Sequence, residues 1–536
     1  MVLSASTFPS SPVPLAPFDW RHRAVEYDTF VYDWSSPGSY TTILDDRTHY
    51  NSASPTYKLP SYLGDSRLGT DGLQEAVNQV ASVVGATLVG IDKSNQGGRD
   101  YVGMLSTFFR PDLGVALNMP APDVARATAR NGGDSYWYAT IPNVLFFMLG
   151  ALYPGRAALM ASLGTIADRF HEMSSALGGE AADFDGTGFD FRAMRTCWNS
   201  EDVNEGGEGA AGAAVIGLWA YARSGERRHL ELARRAMAYL EGAGGNLFYE
   251  VLPVMLPYVA SRMNAELGTT YDVDKYLSWL VAGSQARPGW GTLTARWGDH
   301  DVHGLIGSRT DGGGYGFAMN SFATAFLAPA VKYRTELKDV VGRWLYNGSN
   351  ASRFFYADQM APTQQFYGDR FVSRPEHVIA YEGIRKTEAG RRPCATGDPE
   401  RYGKQWGLAE GAINLGLYGS SWVGILAATT SGLDEAGLMR ADLNSLDFFA
   451  RPAHPTYLYY NPGPRTVVEL SLEDTADLYD PVSDNILARE AQGALRVPIE
   501  PGTSAVLVHT PPGARVERAA GRTEIDGRLV RYARSC

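Results

Sequence analysis

Two adjoining segments constrain the fold of this chain more than any other feature. Residues 210–222 are almost wholly small or apolar, ending Val-Ile-Gly-Leu-Trp-Ala-Tyr-Ala. Residues 228–240 follow across Arg223-Ser224-Gly225-Glu226. In this second segment Leu230, Ala233, Met237 and Leu240 fall on one helical face, while Arg228, Glu231, Arg234 and Arg235 lie elsewhere. A helix that is apolar on every side must be enclosed, and an amphipathic one must lie over it. The pair therefore reads as an inner helix, a tight glycine turn and an outer helix.

The same alternation recurs along the chain. The apolar run 137–153 precedes 157–177 across Pro154-Gly155, 248–267 precedes 273–282, and 317–333 precedes 337–354. A 3.6-residue stripe over 73–89 and a last apolar stretch at 405–430 complete the series. Some ten to thirteen helices, with no strand-rich interruption, predict an (α/α)6-type helical toroid over residues 61–432. No fixed-period repeat supports the rival, an open superhelical array.

With 536 residues the chain is too long for one ordinary core. After residue 432 the period changes: 466–472 alternates with period two, and 456–460, 476–480, 495–499 and 504–509 are short apolar runs between Pro, Gly and Asp turns. These predict an antiparallel β-sandwich over 433–536. Residues 1–60 are rich in Pro, Ser, Tyr and Asp and predict an irregular arm, held to the toroid by Phe18, Trp20, Tyr32 and Trp34.

The net charge of −11 disfavours nucleic acid and anionic membrane as partners. Three scattered cysteines make a disulfide framework or a cysteine-rich zinc site an unsuitable reading. No metal or other cofactor is expected. No secretory leader and no sustained apolar span is legible, so the expected location is cytoplasmic. The oligomeric state is not readable.

A helical toroid followed by a small β-sandwich resembles the (α/α)-toroid carbohydrate-active enzymes, both glycoside hydrolases and polysaccharide lyases. The likeness is carried by the Ser224-Gly225-Glu226-Arg227-Arg228-His229-Leu230 hairpin and the strands around Leu478-Tyr479-Asp480-Pro481-Val482. It covers about residues 70–530 at superfamily level, matches no single family signature and transfers no catalytic residue. It implies an oligo- or polysaccharide substrate. The 11% aromatic content, 29 Tyr among it, fits stacking on sugar rings.

In such a ring the loops ahead of buried helices converge, so polar clusters there are the candidate chemistry. The densest holds Trp297, Asp299, His300, Asp301 and His303, followed by Asp311, Tyr315 and Asn320. Asp301, His303, Asp311 and Tyr315 are candidates for proton transfer, and Trp297, His300 and Asn320 for substrate contact. The alternative is a solvated loop capping the next helix. A second cluster, 199–209, holds Glu205 and Glu208 before the buried helix, where capping competes with catalysis. Trp137 and Tyr138 precede another buried helix as candidate sugar platforms, with Asp134 a candidate cap.

The most basic stretch, at 381–406, holds Tyr381, Glu382, Arg385 and Trp406. It fits an acidic sugar, or a plain surface loop. Glu250 lies in an apolar segment and must be bonded to a neighbour or functional.

A glycoside hydrolase needs one carboxyl kept protonated and a second ionised. The leading expectation is therefore Asp301 or Asp311 acting with Glu205, Glu208 or Glu382. A lyase would use Tyr315 or His303 as base, with Asn320 or Arg385 neutralising a uronate. A non-catalytic glycan-binding protein would need the aromatics alone, and a dehydratase, isomerase or epimerase would use the His and Tyr residues.

Overall fold

The computed structural model describes residues 3–35, 41–46, 56–65, 75–119, 134–198, 203–366, 378–403, 413–431, 437–464 and 466–532. The segment expected to be enclosed is the helix Gly206–Ser224, buried from Gly206 to Ala220, and it packs on the amphipathic helix Arg227–Gly242. Its glycines matter for position. A side chain at Gly207 would strike the Leu247 carbonyl, and one at Gly209 the Tyr136 ring, so both neighbours approach the first turn closely.

Other buried helices are Ala76–Leu88, Tyr136–Leu152 and Leu256–Leu267, the last behind the 3-10 turn Leu252–Met255. Ala318–Phe322, Ala323–Leu327 and Ala328–Tyr333 form one broken helix, and Leu417–Ser420 with Val423–Thr429 form another. Each contacts the next in chain order, and Val423–Thr429 packs against Ala76–Leu88. Ala157–Ala176, Val273–Ala282 and Lys338–Ser352 lie outside their buried partners.

Two expectations are corrected. The first 60 residues are not irregular throughout. Trp20–Val31 is a helix, capped by Asp19, whose carboxylate accepts the His22 N–H at 2.9 Å. Its buried Trp20, Ala24, Tyr27 and Val31 follow helical spacing and pack it on Val423–Thr429.

Nor is the helical part free of strands. Trp290–Thr292, Ile306–Ser308, Tyr315–Phe317, Gly383–Arg385 and Cys394–Thr396 form a five-stranded antiparallel sheet. Asp134–Ser135, Gly188–Asp190 and Arg195–Cys197 form a smaller one. At two or three residues each, these strands are too short to show a period of two. Asp134–Ser135 and Tyr315–Phe317 run straight into buried helices, fixing the residues at those helix starts.

In the C-terminal part, six strands pair in the order Thr430–Ser431, Met439–Asp442, Thr456–Asn461, Thr503–Thr510, Val467–Asp480, Asn485–Pro498. The expected alternation holds: Val468, Leu470 and Leu472 are buried between exposed Glu469 and Ser471. A three-stranded sheet, Val516–Ala519, Arg522–Ile525 and Arg528–Arg531, packs Ile525 and Val530 on Tyr479 and Val508. The larger sheet also meets the helix Lys338–Ser352 through Leu458 and Ser504.

Candidate active site

The first turns of the buried helices, and the residues just before them, meet at one place. Glu205 directly precedes Gly206–Ser224, and one of its carboxylate oxygens accepts the Trp137 N–H at 3.1 Å. It is only 5% exposed. Burial, with the neighbouring Glu250 charge adding to it, pushes its pKa up to about 7 against the Trp137 hydrogen bond.

Glu208, one turn on, is fully enclosed. It accepts the Leu252 N–H at 3.1 Å and the Glu250 N–H, so its carboxyl ties down the next buried segment. Burial raises its pKa as well. Both acids expected here face Glu250; Glu208 also ties down the segment that carries it, and Glu205 the start of Tyr136–Leu152.

Glu250 is bonded, as its sequence context requires: its carboxylate pairs with Arg287. Burial raises its pKa, and the Arg287 charge and the Asn320 amide oppose that rise. Arg287 is half-buried, lies over Trp290 at 3.6 Å, and feels the charges of Glu250, Tyr249 and Asp398. The half-buried Tyr138 is raised by burial and by Glu75, Glu250 and Glu205, and Tyr418 by burial, Tyr138, Glu75 and Glu250. Trp137 donates its ring N–H to the Tyr418 hydroxyl at 3.1 Å. Five helix starts thus bring Glu75, Trp137 with Tyr138, Glu205, Asn320 and Tyr418 into one electrostatic neighbourhood around Glu250.

A second group adjoins it through Arg287. Glu382, 5% exposed, accepts the Tyr62 hydroxyl at 3.0 Å and the Asp398 N–H. Burial and the Asp398 charge push its pKa up to about 8. Arg385 is enclosed by Asp398 at 2.7 Å, Asp311 at 2.8 Å and Glu388 at 3.4 Å, and lies over the Tyr315 ring at 4.1 Å. Asp311, expected as an acid catalyst, is thus a clamp on Arg385, and it also meets Arg401 at 3.4 Å. Tyr315 is buried, which raises its pKa, as do Glu382 and Asp398.

The loop expected to hold the chemistry does something else. The Asp301 carboxylate accepts the Val13 N–H at 2.6 Å, and the Asp301 N–H donates to the Val13 carbonyl at 2.6 Å. The His303 ring lies 3.6 Å from Asp301, and burial lowers its pKa. His300 packs edge-on to Phe354 at 4.8 Å, and Trp297 is buried beside Gly314. Asp301 therefore anchors the N-terminal arm, with His303 beside it. Tyr381 is buried, its hydroxyl 3.5 Å from Gln365. Trp406 lies outside the described residues.

Sequence reasoning missed Tyr62, Glu75, Tyr249, Arg287, Asp398 and Tyr418. Glu75 and Tyr418 carry a signal it had: each abuts a buried apolar helix, as Glu205 does. Arg287 and Asp398 carry none, being placed by loops. Among the described residues, no three His, Cys, Asp or Glu side chains are grouped to hold a metal ion, and no helix is long and apolar enough to cross a membrane.

No family model matches the chain, and no curated protein matches it. Among solved structures it is similar to a GH127 β-L-arabinofuranosidase from Geobacillus stearothermophilus T6, at 12% identity and a TM-score of 0.38 over 97% of this chain and 86% of that one. It is similar to a second GH127 β-arabinofuranosidase at 11% identity and TM-score 0.37, over 95% of this chain and 78% of that one. A further glycoside hydrolase matches at 9% identity and TM-score 0.35, over 85% of this chain and 76% of that one. Likeness at this level assigns neither an activity nor a residue.

Proposed function

We propose that the chain is a glycoside hydrolase acting on an oligo- or polysaccharide, with Glu205 as general acid and Glu250 as the ionised partner. One observation carries the reading: two neighbouring buried carboxyls sit in opposite surroundings. Glu205 has burial and another acid beside it, which favour its protonated form, whereas Arg287 favours the charged form of Glu250. Burial raises both carboxyls, and only Glu250 has a cation beside it to favour its ionised form, an asymmetry that suits acid and base roles at one glycosidic bond. Tyr138, Tyr249 and Tyr418, all half-buried around the acids, supply ring faces for sugar carbon–hydrogen surfaces.

The contacts from each buried helix to the next, and from the last to the first, support an (α/α)6 toroid over 61–432. With it go an arm at 1–60 and a β-domain at 433–536. The elimination reading loses support, because Arg385 is taken up by three carboxylates.

The test is incubation with neutral and uronic-acid glycans, following reducing ends and the absorbance of unsaturated product. New reducing ends without unsaturation are expected. Unsaturated product, or full turnover in both Glu205→Gln and Glu250→Gln, overturns the assignment.

A further inference from the structure

Trp137 holds two groups of the site at once. Its main-chain N–H donates to Glu205, the proposed acid, at 3.1 Å, and its ring N–H donates to the Tyr418 hydroxyl at 3.1 Å. One buried residue on the first turn of Tyr136–Leu152 therefore sets where the acid and the Tyr418 hydroxyl stand relative to each other. The Tyr418 main chain is pinned as well, since its N–H donates to the Ser61 carbonyl at 3.1 Å.

The direction of the bond between Trp137 and Tyr418 is fixed by chemistry. An indole nitrogen donates and cannot accept, so the Tyr418 oxygen is the acceptor and its own proton points elsewhere. Among the described residues, Trp137 is the only hydrogen-bond partner of that hydroxyl. Burial raises the Tyr418 pKa, and the nearby Tyr138, Glu75 and Glu250 add to the rise, so the proton stays on the oxygen. Tyr418 is half-buried, whereas the Trp137 ring is enclosed. A donor that is held in place, keeps its proton and has no acceptor is one that a ligand satisfies.

We infer that Tyr418 reads the substrate through its hydroxyl rather than its ring, donating to a sugar oxygen beside the bond that Glu205 protonates. Trp137 is the positioning residue that aims it. The choice of a sugar, and the part given to Glu205, rest on the glycosidase reading; the fixed donor rests on the two hydrogen bonds alone. Such a site requires an oxygen next to the glycosidic bond, and a sugar deoxygenated there would leave Tyr418 unpaired. The rival acceptor within the protein is the Tyr138 hydroxyl: burial raises its pKa, and the Tyr418 hydroxyl opposes that rise.

The experiment measures kcat/KM on xylo-, manno-, cello- and arabino-hexaose, and Kd for the same sugars in Glu205→Gln, each with and without Tyr418→Phe and Trp137→Phe. Tyr418→Phe keeps the ring and removes only the donor. On the hexaose that the wild type prefers, it should lower kcat/KM and weaken binding about tenfold. Trp137→Phe should cost about threefold alone and nothing further on top of Tyr418→Phe, because it acts through that hydroxyl. A merely structural Trp137 would give additive losses. Should Trp137→Phe not fold, Tyr418→Phe against Tyr138→Phe still decides. The inference is overturned by a Tyr418→Phe chain within about twofold of the wild type, by an equal or larger loss in Tyr138→Phe, by additive losses in the double variant, or by no binding of any hexaose. Binding that depends on the Tyr418 hydroxyl without hydrolysis would instead remove the glycosidase reading and leave the fixed donor standing.

Discussion

Glu205 and Asp301 are equally shielded from water, at 5% and 6% exposure, yet their surroundings differ in kind. Asp301 accepts the Val13 N–H, on a hairpin that straps the arm in place. Glu205 receives the Trp137 N–H and the Ser135 and Tyr249 hydroxyls, but it also has the Glu250 charge beside it. A buried carboxylate matched to donors is a fastening. A buried carboxyl with a second carboxyl beside it keeps an electrostatic penalty that the fold does not need, and such penalties gather where chemistry is done. Burial alone does not separate the two cases; the sign of the neighbours does.

The comparison breaks most visibly in turnover. Glu205→Gln and Glu250→Gln should each lower kcat by about 10²–10⁴-fold, while Asp301→Asn stays within about threefold of the wild type. Reducing-end assays on a turned-over glycan decide it, and an Asp301→Asn enzyme as dead as Glu205→Gln would erase the distinction.

The next effect is on pH. A carboxyl whose folded pKa is about 7, against an ordinary 4.5, binds its proton more tightly folded than unfolded. Its stabilisation is therefore present at low pH and lost as pH rises from about 4.5 through 7, amounting to about 3 kcal/mol at most. Denaturant titrations should show that fall flattened in Glu205→Gln. Activity carried by a protonated Glu205 should decline over the same rise.

Removing the counter-charge gives a third test. In Arg287→Met, Glu250 loses the cation that favours its ionised form, so the acidic limb of the kcat/KM profile should move to higher pH. An unmoved limb would detach Glu250 from the base role. The smallest effect belongs to the strap. Asp301→Ala leaves the Val13 N–H without its acceptor, at a cost of about 1–3 kcal/mol, read as a lower thermal midpoint and faster proteolysis within residues 3–18.

The helical pairs were legible because enclosure leaves a mark on every position. The helix at 273–282 has the bounds its pattern predicts, and Gly206–Ser224 extends its prediction only at the ends. The five-stranded sheet was not legible, since three-residue strands are shorter than the pattern that would reveal them. Glu205, Trp137 and Tyr138 are legible as candidates because they stand directly before or at the start of apolar helices. Asp301 stands in a dense run of titratable residues, yet its bond to the arm leaves no mark in the local pattern. The hydrogen-bond partner that explains Asp301 is Val13, 288 positions away.

One contact has a consequence in time. A side chain at Gly424 would collide with the Gly85 backbone, and one at Gly85 would press on Ser421 and Gly424, so the first and last buried helices touch through bare main chain. Nearly the whole helical part must be synthesised before those two glycines can meet. Such distant pairings form late and slowly. Until then the earlier hairpins wait with an open flank, and Gly424→Ala, by obstructing the final step, would lengthen that wait.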